Sequence, residues 1–224
     1  MTAVSPIPPK PTPVRHYENA AEWLHALGDV PPERIVMDPP PGTATEGDLI
    51  QCIDGDDKRL VELIDGTLVE KPVGTKESYI ASLLATALNN FILPRKLGII
   101  TGEAGPYRVA SRRVRLPDIA FISVANLAGG KVPDEAIASL TPSLAIEIIS
   151  RGNTKKEMRQ KLTEYFGVGV QLVWFIYLNS RTVAVFEADS DSPTRTLSDR
   201  DALDGGRVLP GFSFPVAGLF ENIA

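Results

Sequence analysis

Residues 143–149 read Ser143-Leu-Ala-Ile-Glu-Ile-Ile149, apolar except for Ser143 and Glu147, and bounded by Pro142 on one side and Ser150-Arg-Gly152 on the other. A half-exposed strand would alternate apolar with polar, so this run reads as a central strand covered on both faces. Such a strand needs one layer above it and one below, and the flanking sequence supplies both. Upstream, Ile80, Leu83, Leu84, Ala87, Leu88, Phe91 and Ile92 recur at i, i+3, i+4, i+7, i+8, i+11 and i+12, the stripe of an amphipathic helix ending near Pro94 to Gly98. Downstream, Asn153-Thr154 can cap a helix whose inner stripe is Met158, Leu162, Tyr165 and Phe166, stopped at Gly167 and Gly169.

Strand patterns fill the remainder. Residues 48 to 71 read as short strands, with Leu60-Val-Glu-Leu-Ile64 and Thr67-Leu-Val-Glu70 hinged at Asp65-Gly66. Others are expected at about Ile99 to Glu103, Tyr107 to Ala110 and Pro117 to Ser123. Val170 to Leu178 and Arg181 to Glu187 form a hairpin around Asn179-Ser180, and strand pieces near Val208 to Phe214 precede a last turn at Leu219-Phe220. This order predicts a mixed-sheet α/β or α+β fold. Ahead of it, prolines at 6, 8, 9, 11 and 13 predict an extended tail, and Asn19-Ala-Ala-Glu22 a short capped helix with Trp23, Leu24 and Leu27 inward. Pro31-Pro32 and Pro39-Pro40-Pro41 predict an irregular surface strap. The expected organisation is an arm, residues 1–47, and one domain, residues 48–224; a chain of 224 residues buries one core and rarely two.

Composition narrows the chemistry. One cysteine, Cys52, makes no internal disulfide, and the two histidines, His16 and His25, lie near the N-terminus, so Cys/His zinc sites and histidine triads are disfavoured. No apolar stretch reaches the roughly 18 residues of a membrane span, and the opening residues lack the apolar region of a secretory signal, so a cytoplasmic protein is expected. A net charge of −5 argues against a surface that is basic all round but leaves room for local stripes. Arg108, Arg112, Arg113 and Arg115 form one, and Arg151, Lys155, Lys156, Arg159 and Lys161 another; solvated faces balancing nearby acids explain them equally well.

Two acids stand out. Asp118 opens the apolar run Pro-Asp-Ile-Ala-Phe-Ile, and Glu147 sits inside residues 143–149. An unpaired buried carboxylate costs several kcal/mol or is forced up in pKa, so each needs a cation, a hydrogen-bonding partner or a function. On adjacent strands the two could share Mg²⁺ or Mn²⁺, helped by a backbone carbonyl such as that of Ile148, by water and by a substrate phosphate. An arginine partner for Glu147 and a turn role for Asp118 would serve as well.

At this point an ordered set of motifs resembles a family. Val61-Glu62-Leu-Ile-Asp65-Gly66, Pro117-Asp118, Pro142 through Ser150, Lys161-Leu-Thr-Glu-Tyr165, Gly169 through Trp174 and Leu209-Pro-Gly-Phe212 occur as in the Uma-two family of restriction-endonuclease-like proteins, across roughly residues 48 to 220. The resemblance implies a PD-(D/E)XK-type core, a four-stranded mixed sheet flanked by helices, with Asp118 and Glu147 as its metal-binding acids. That pattern wants lysine two residues after Glu147, where this chain has Ile149. Lys161, on the following helix, is a candidate replacement whose bland alternative is an i, i+4 pair with Glu157. Glu77, at the head of the long helix, could join the acids or simply favour the helix dipole. Glu62 matches a family position, or else sits on the wet side of its hairpin.

These readings imply an Mg²⁺- or Mn²⁺-dependent endonuclease acting on DNA, with Asp118, Glu147, Lys161, Glu77 and Glu62 in the site and Arg113, Arg115, Lys155 and Lys156 gripping the backbone. RNA is not separated from DNA by sequence. A homodimer follows only by analogy with enzymes that cut two strands. The alternative is a nuclease-like module that binds nucleic acid or assembles without turnover, which Ile149 and the acidic balance favour.

Overall fold

The computed structural model describes residues 16–223 apart from 57, 138, 189 and 191. The proline-rich tail, residues 1 to 15, lies outside the described residues. In chain order the elements begin with helices α1 (Ala20–Ala26) and α2 (Glu46–Asp54), the hairpin β1 (Val61–Ile64) and β2 (Thr67–Glu70), and helix α3 (Thr75–Ile92). Strands β3 (Gly98–Gly102), β4 (Tyr107–Ala110), β5 (Arg113–Arg115), β6 (Ile119–Ser123) and β7 (Leu144–Ile149) follow, then helix α4 (Lys155–Gly167). The chain ends with β8 (Leu172–Tyr177), β9 (Thr182–Glu187), β10 (Arg195–Leu197), β11 (Ala202–Gly205), β12 (Leu209–Pro215) and α5 (Val216–Phe220). No described helix is long and apolar enough to cross a membrane.

The central sheet runs β10-β9-β8-β7-β6-β3. Only β7 and β8 are parallel, because α4 supplies the crossover that a parallel pair requires. The mixed sheet implied by the family resemblance is therefore present as β3-β6-β7-β8, widened by β9 and β10. Strand β7 separates two apolar layers. Ile146 and Ile148 face Ile80, Leu84, Leu88 and Ile92 of α3, whereas Ala145 faces Met158, Leu162 and Tyr165 of α4. Each fully buried Leu or Ile in these layers contributes about 1.5–3 kcal/mol. A second sheet, β2-β1-β5-β4, closes against α2 through Leu49, Leu63 and Val114.

Several expectations need correction. Residues 46–54 are helical, not extended: Thr45 and Asp48 form a reciprocal capping box at the helix start. Strand β5 lies within the arginine cluster, and β10 and β11 had no sequence signal, being three or four residues long and held by their partners. No packing boundary falls between residues 47 and 48. Leu27, Val30 and Ile35 pack with Ile64 and Val69, and Arg34 donates to the carbonyls of Glu70 and Gly152 and pairs with Glu157 at 2.7 Å. The strap thus belongs to the core it crosses.

Candidate active site

Strand register brings the two acids together. Ile119 stands opposite Ile146 at the end of the antiparallel β6–β7 ladder, so Asp118 and Glu147 each lie one residue beyond that last pair, and the two carboxylates are near enough to repel each other. Asp118 precedes β6 and has no ladder partner of its own. Its Oδ2 accepts from the Ile148 N–H at 2.6 Å, continuing the ladder with a side chain, and its Oδ1 accepts from Lys71 Nζ at 2.7 Å. Lys71 follows β2 directly and also donates to the Leu116 carbonyl at 2.6 Å. Asp118 and Lys71 lie in the wall of a cleft of about 1040 Å³, together with Glu77 and Glu103.

Behind this wall lies a second, closed tier. Glu147 leaves β7 on the α4 side, where its Oε1 accepts from Lys161 Nζ at 3.0 Å and from the Tyr165 hydroxyl. Lys161 and Tyr165 are four residues apart on α4 and so share a face. The same ammonium meets Glu62 of β1 at 2.9 Å. Glu62 also accepts from Arg115 at 2.8 Å and from the Leu116 N–H at 3.1 Å, and Arg115 reaches on to Glu164 at 2.6 Å. The Lys161 side chain is only 2% exposed and that of Glu147 4%, against 13% for Asp118.

Electrostatics separates the two buried glutamates. For Glu62, burial disfavours the charge, but Lys161, Arg115 and Lys71 outweigh it and hold the carboxyl well below its ordinary range. For Glu147, burial dominates; Lys161 and Lys71 offset it only in part, and Asp118 and Glu62 repel, so its pKa is raised. Burial would lower Lys161, yet Glu147 and Glu62 raise it above its ordinary value. Burial and the neighbouring Glu147 also hold the Tyr165 hydroxyl well up, so it donates as a neutral phenol.

Asp118, Glu147, Lys161 and Glu62 therefore converge. The i, i+4 alternative for Lys161 is set aside, since Glu157 pairs with Arg34 and the ammonium reaches the strand. Glu77 lines the same cleft as Asp118 from the first turn of α3. The Ile148 N–H meets Asp118, and a strand residue's carbonyl points to the same side as its N–H. Among the described residues no three His, Cys, Asp or Glu side chains form a ready metal cluster.

The expected phosphate grip of Arg113 and Arg115 is corrected. Arg115 is fully buried on Glu62 and Glu164, and Arg113 is held by Asp65 and Glu164, so neither guanidinium is offered to a ligand. Lys155 is exposed at the start of α4, whereas Lys156 is turned to the His25 carbonyl and Asp29. Lys71 was missed, because a lysine at a strand end before Pro72 looks like a solvated terminus. Tyr165 was legible only as an apolar-stripe residue.

Comparison with known proteins agrees with this architecture. A putative nuclease belonging to DUF820 from Anabaena variabilis superposes with a TM-score of 0.62 at 19% identity, over 72% of this chain and 89% of the other. No curated protein sequence matches. The sequence profile of Uma2, described as Putative restriction endonuclease, matches residues 48–217, three quarters of the chain and every acid of the site. The chain belongs to the Uma2 family.

Proposed function

We propose that the chain hydrolyses phosphodiester bonds in DNA at the junction of Asp118 and Glu147, with Mg²⁺ or Mn²⁺ as cofactor. One observation carries this reading: Asp118 in the wall of a large cleft and Glu147 in the closed tier behind it come from adjacent strands near enough to repel each other, and each is contacted by a lysine. The donor set suits a hard cation, with carboxylate oxygens of Asp118 and Glu147 and the Ile148 carbonyl as ligands and water or phosphate for the rest. When bound, such a cation lowers the pKa of a water molecule and offsets charge growing on the phosphate.

The chain's own groups divide the remaining work. An ammonium has three N–H donors, and Lys71 gives two of them to Leu116 and Asp118, which leaves one for a phosphate oxygen at the cleft wall. Lys71 would then supply the charge stabilisation for which Ile149 has no donor. Lys161 acts as a positioning residue. With Tyr165 it fixes Oε1 of Glu147, so that Oε2 is the oxygen left to a ligand.

The test is plasmid nicking with Mn²⁺ or Mg²⁺. Asp118→Ala and Glu147→Ala should abolish nicking, and Lys71→Ala should slow it by about 10²–10³-fold, as loss of one transition-state donor does elsewhere. A second reading, a module that binds without turnover, is favoured by Ile149 and by the near-complete burial of Glu147. It predicts intact plasmid with every metal while binding survives Asp118→Ala. Parallel reactions on RNA decide the substrate, and sedimentation decides whether the expected homodimer forms.

A further inference from the structure

A second cavity, of about 600 Å³, adjoins the Asp118 cleft, and the two share Pro72, Val73 and Glu77 as common walls. Their charges differ. In the Asp118 cleft Lys58, Arg59 and Lys71 are outnumbered by Glu70, Glu77, Glu103 and Asp118, whereas among the described residues of the second cavity Arg151 and Arg181 face a single acid, Glu77. A polyanion is therefore drawn to the second cavity without help and enters the first only where cations offset its acids. We infer that the strand acted on at Asp118 continues over Pro72 and Val73 into this basic cavity, where Arg151 and Arg181 bind its phosphates. The inference rests on the proposed hydrolysis at the Asp118 cleft and assigns the substrate track that the buried Arg113 and Arg115 do not provide.

Two features mark these arginines. Both line the second cavity, and among the described residues neither is paired with a carboxylate, unlike Arg34, Arg59, Arg108, Arg113, Arg115 and Arg195; Arg95, Arg112, Arg159, Arg200 and Arg207 also lack such a partner but line neither cavity. Both are also held from behind. Arg151 rides a turn in which Asn153 Oδ1 accepts from Ser150 N and Oγ, each at 3.1 Å, and the Gly152 carbonyl accepts from Arg34 at 2.8 Å. That turn packs so closely on Pro72 that a Cβ at Gly152 would come within 2.9 Å of it. It also follows β7 directly, four residues beyond Glu147, a reach of at most about 14 Å. Arg181 sits at the β8–β9 turn with Nη1 on the Phe220 carbonyl at 3.1 Å and its guanidinium over the Phe220 ring, so its fork is fixed but its charge is not cancelled.

The test is fluorescence anisotropy of a labelled single-stranded DNA oligonucleotide, without metal, on the full chain carrying Asp118→Ala. Adding Arg151→Glu should weaken binding about tenfold or more and reduce the slope of log affinity against log salt by about one. Arg207→Glu, an equal charge change on the exposed β11–β12 turn, should alter affinity by no more than about twofold, because distant surface charges are screened. Arg151 is exposed, so melting temperatures should match. Equal losses for the two variants, an unchanged affinity for Arg151→Glu, or no binding at all would overturn the track. Intact plasmid alongside the expected anisotropy pattern would instead sink hydrolysis and leave the track standing.

Discussion

Lys161→Met tests the closed tier behind the cleft. Lys161 is the largest favourable influence on both Glu62 and Glu147, countering in each the cost of burial. Met keeps most of the volume and removes the charge, which leaves two buried carboxylates with Arg115 on one side and only Tyr165 in contact on the other. Removing one partner of a buried ion pair costs about 3–5 kcal/mol. For a chain of this length each kcal/mol lowers Tm by about 2–4 °C, so a fall of roughly 6–20 °C is expected at pH 8.

The pH dependence distinguishes this mechanism from simple mispacking. Without the ammonium, the folded-state pKa of Glu147, already raised by burial, rises further, so the native variant holds a proton that the unfolded chain releases, whereas Arg115 and Lys71 still favour the charged form of Glu62. A carboxyl raised in the folded state stabilises fully below its unfolded pKa of about 4.3, and that stability is lost as pH rises through the folded value. Within the window the raised carboxyl changes stability by about 1.4 kcal/mol per pH unit. Urea unfolding followed by tryptophan fluorescence should therefore show part of the loss recovered at pH 5 relative to wild type. An equal loss at pH 5 and pH 8, or a total below about 1 kcal/mol, would refute the assigned role.

Arg34→Met removes both contacts to Glu157 and two to carbonyls, so it should cost about 3 kcal/mol in urea and expose the strap, near residues 27 to 45, to early proteolysis. Tyr165→Phe removes a single donor to a charged oxygen and should cost about 1.5–3 kcal/mol in urea while reducing nicking, since Glu147 is then held by Lys161 alone. Gly66→Ala should destabilise by at least 1 kcal/mol: Gly66 sits at φ 80°, and a Cβ there would lie 2.5 Å from the Gly42 carbonyl oxygen. Thermal melts check it.

Periodicity made α3 and β7 readable, because buried stripes repeat over many residues and a doubly covered strand admits little else. Helix α2 was misread because its apolar residues Leu49, Ile50, Cys52 and Ile53 span too few turns to show a helical period; the informative signal was Thr45 followed three residues later by Asp48. At the site, lone acids inside apolar runs were legible, since burial makes them costly wherever they occur. Their partners were not. Lys71 lies 47 residues from Asp118, and no local spacing links them. The cluster around Arg113 and Arg115 looked like a surface stripe because Glu62, Asp65 and Glu164, which neutralise it, come from the β1–β2 hairpin and α4.

Charge balance at the site bears on how metal and folding are coupled. Lys71 sits on Asp118 and Lys161 on Glu147, so both acids are compensated by cations built into the chain. Folding then does not depend on a divalent ion, unlike sites where clustered acids repel until metal arrives. Under the proposed hydrolysis, Mg²⁺ would have to compete with the Lys71 ammonium for Asp118 Oδ1, which would weaken its affinity. A ligand present at its Kd stabilises by only about 0.4 kcal/mol, a shift of roughly 1–2 °C. EDTA should accordingly leave Tm unchanged, and millimolar Mg²⁺ should raise it by no more than that. In Lys71→Met the competitor is gone, and the same Mg²⁺ should give a larger shift. A wild-type protein that loses many degrees in EDTA, or a Lys71→Met protein that responds to Mg²⁺ no more than wild type, would show that the lysine does not occupy the cation's place.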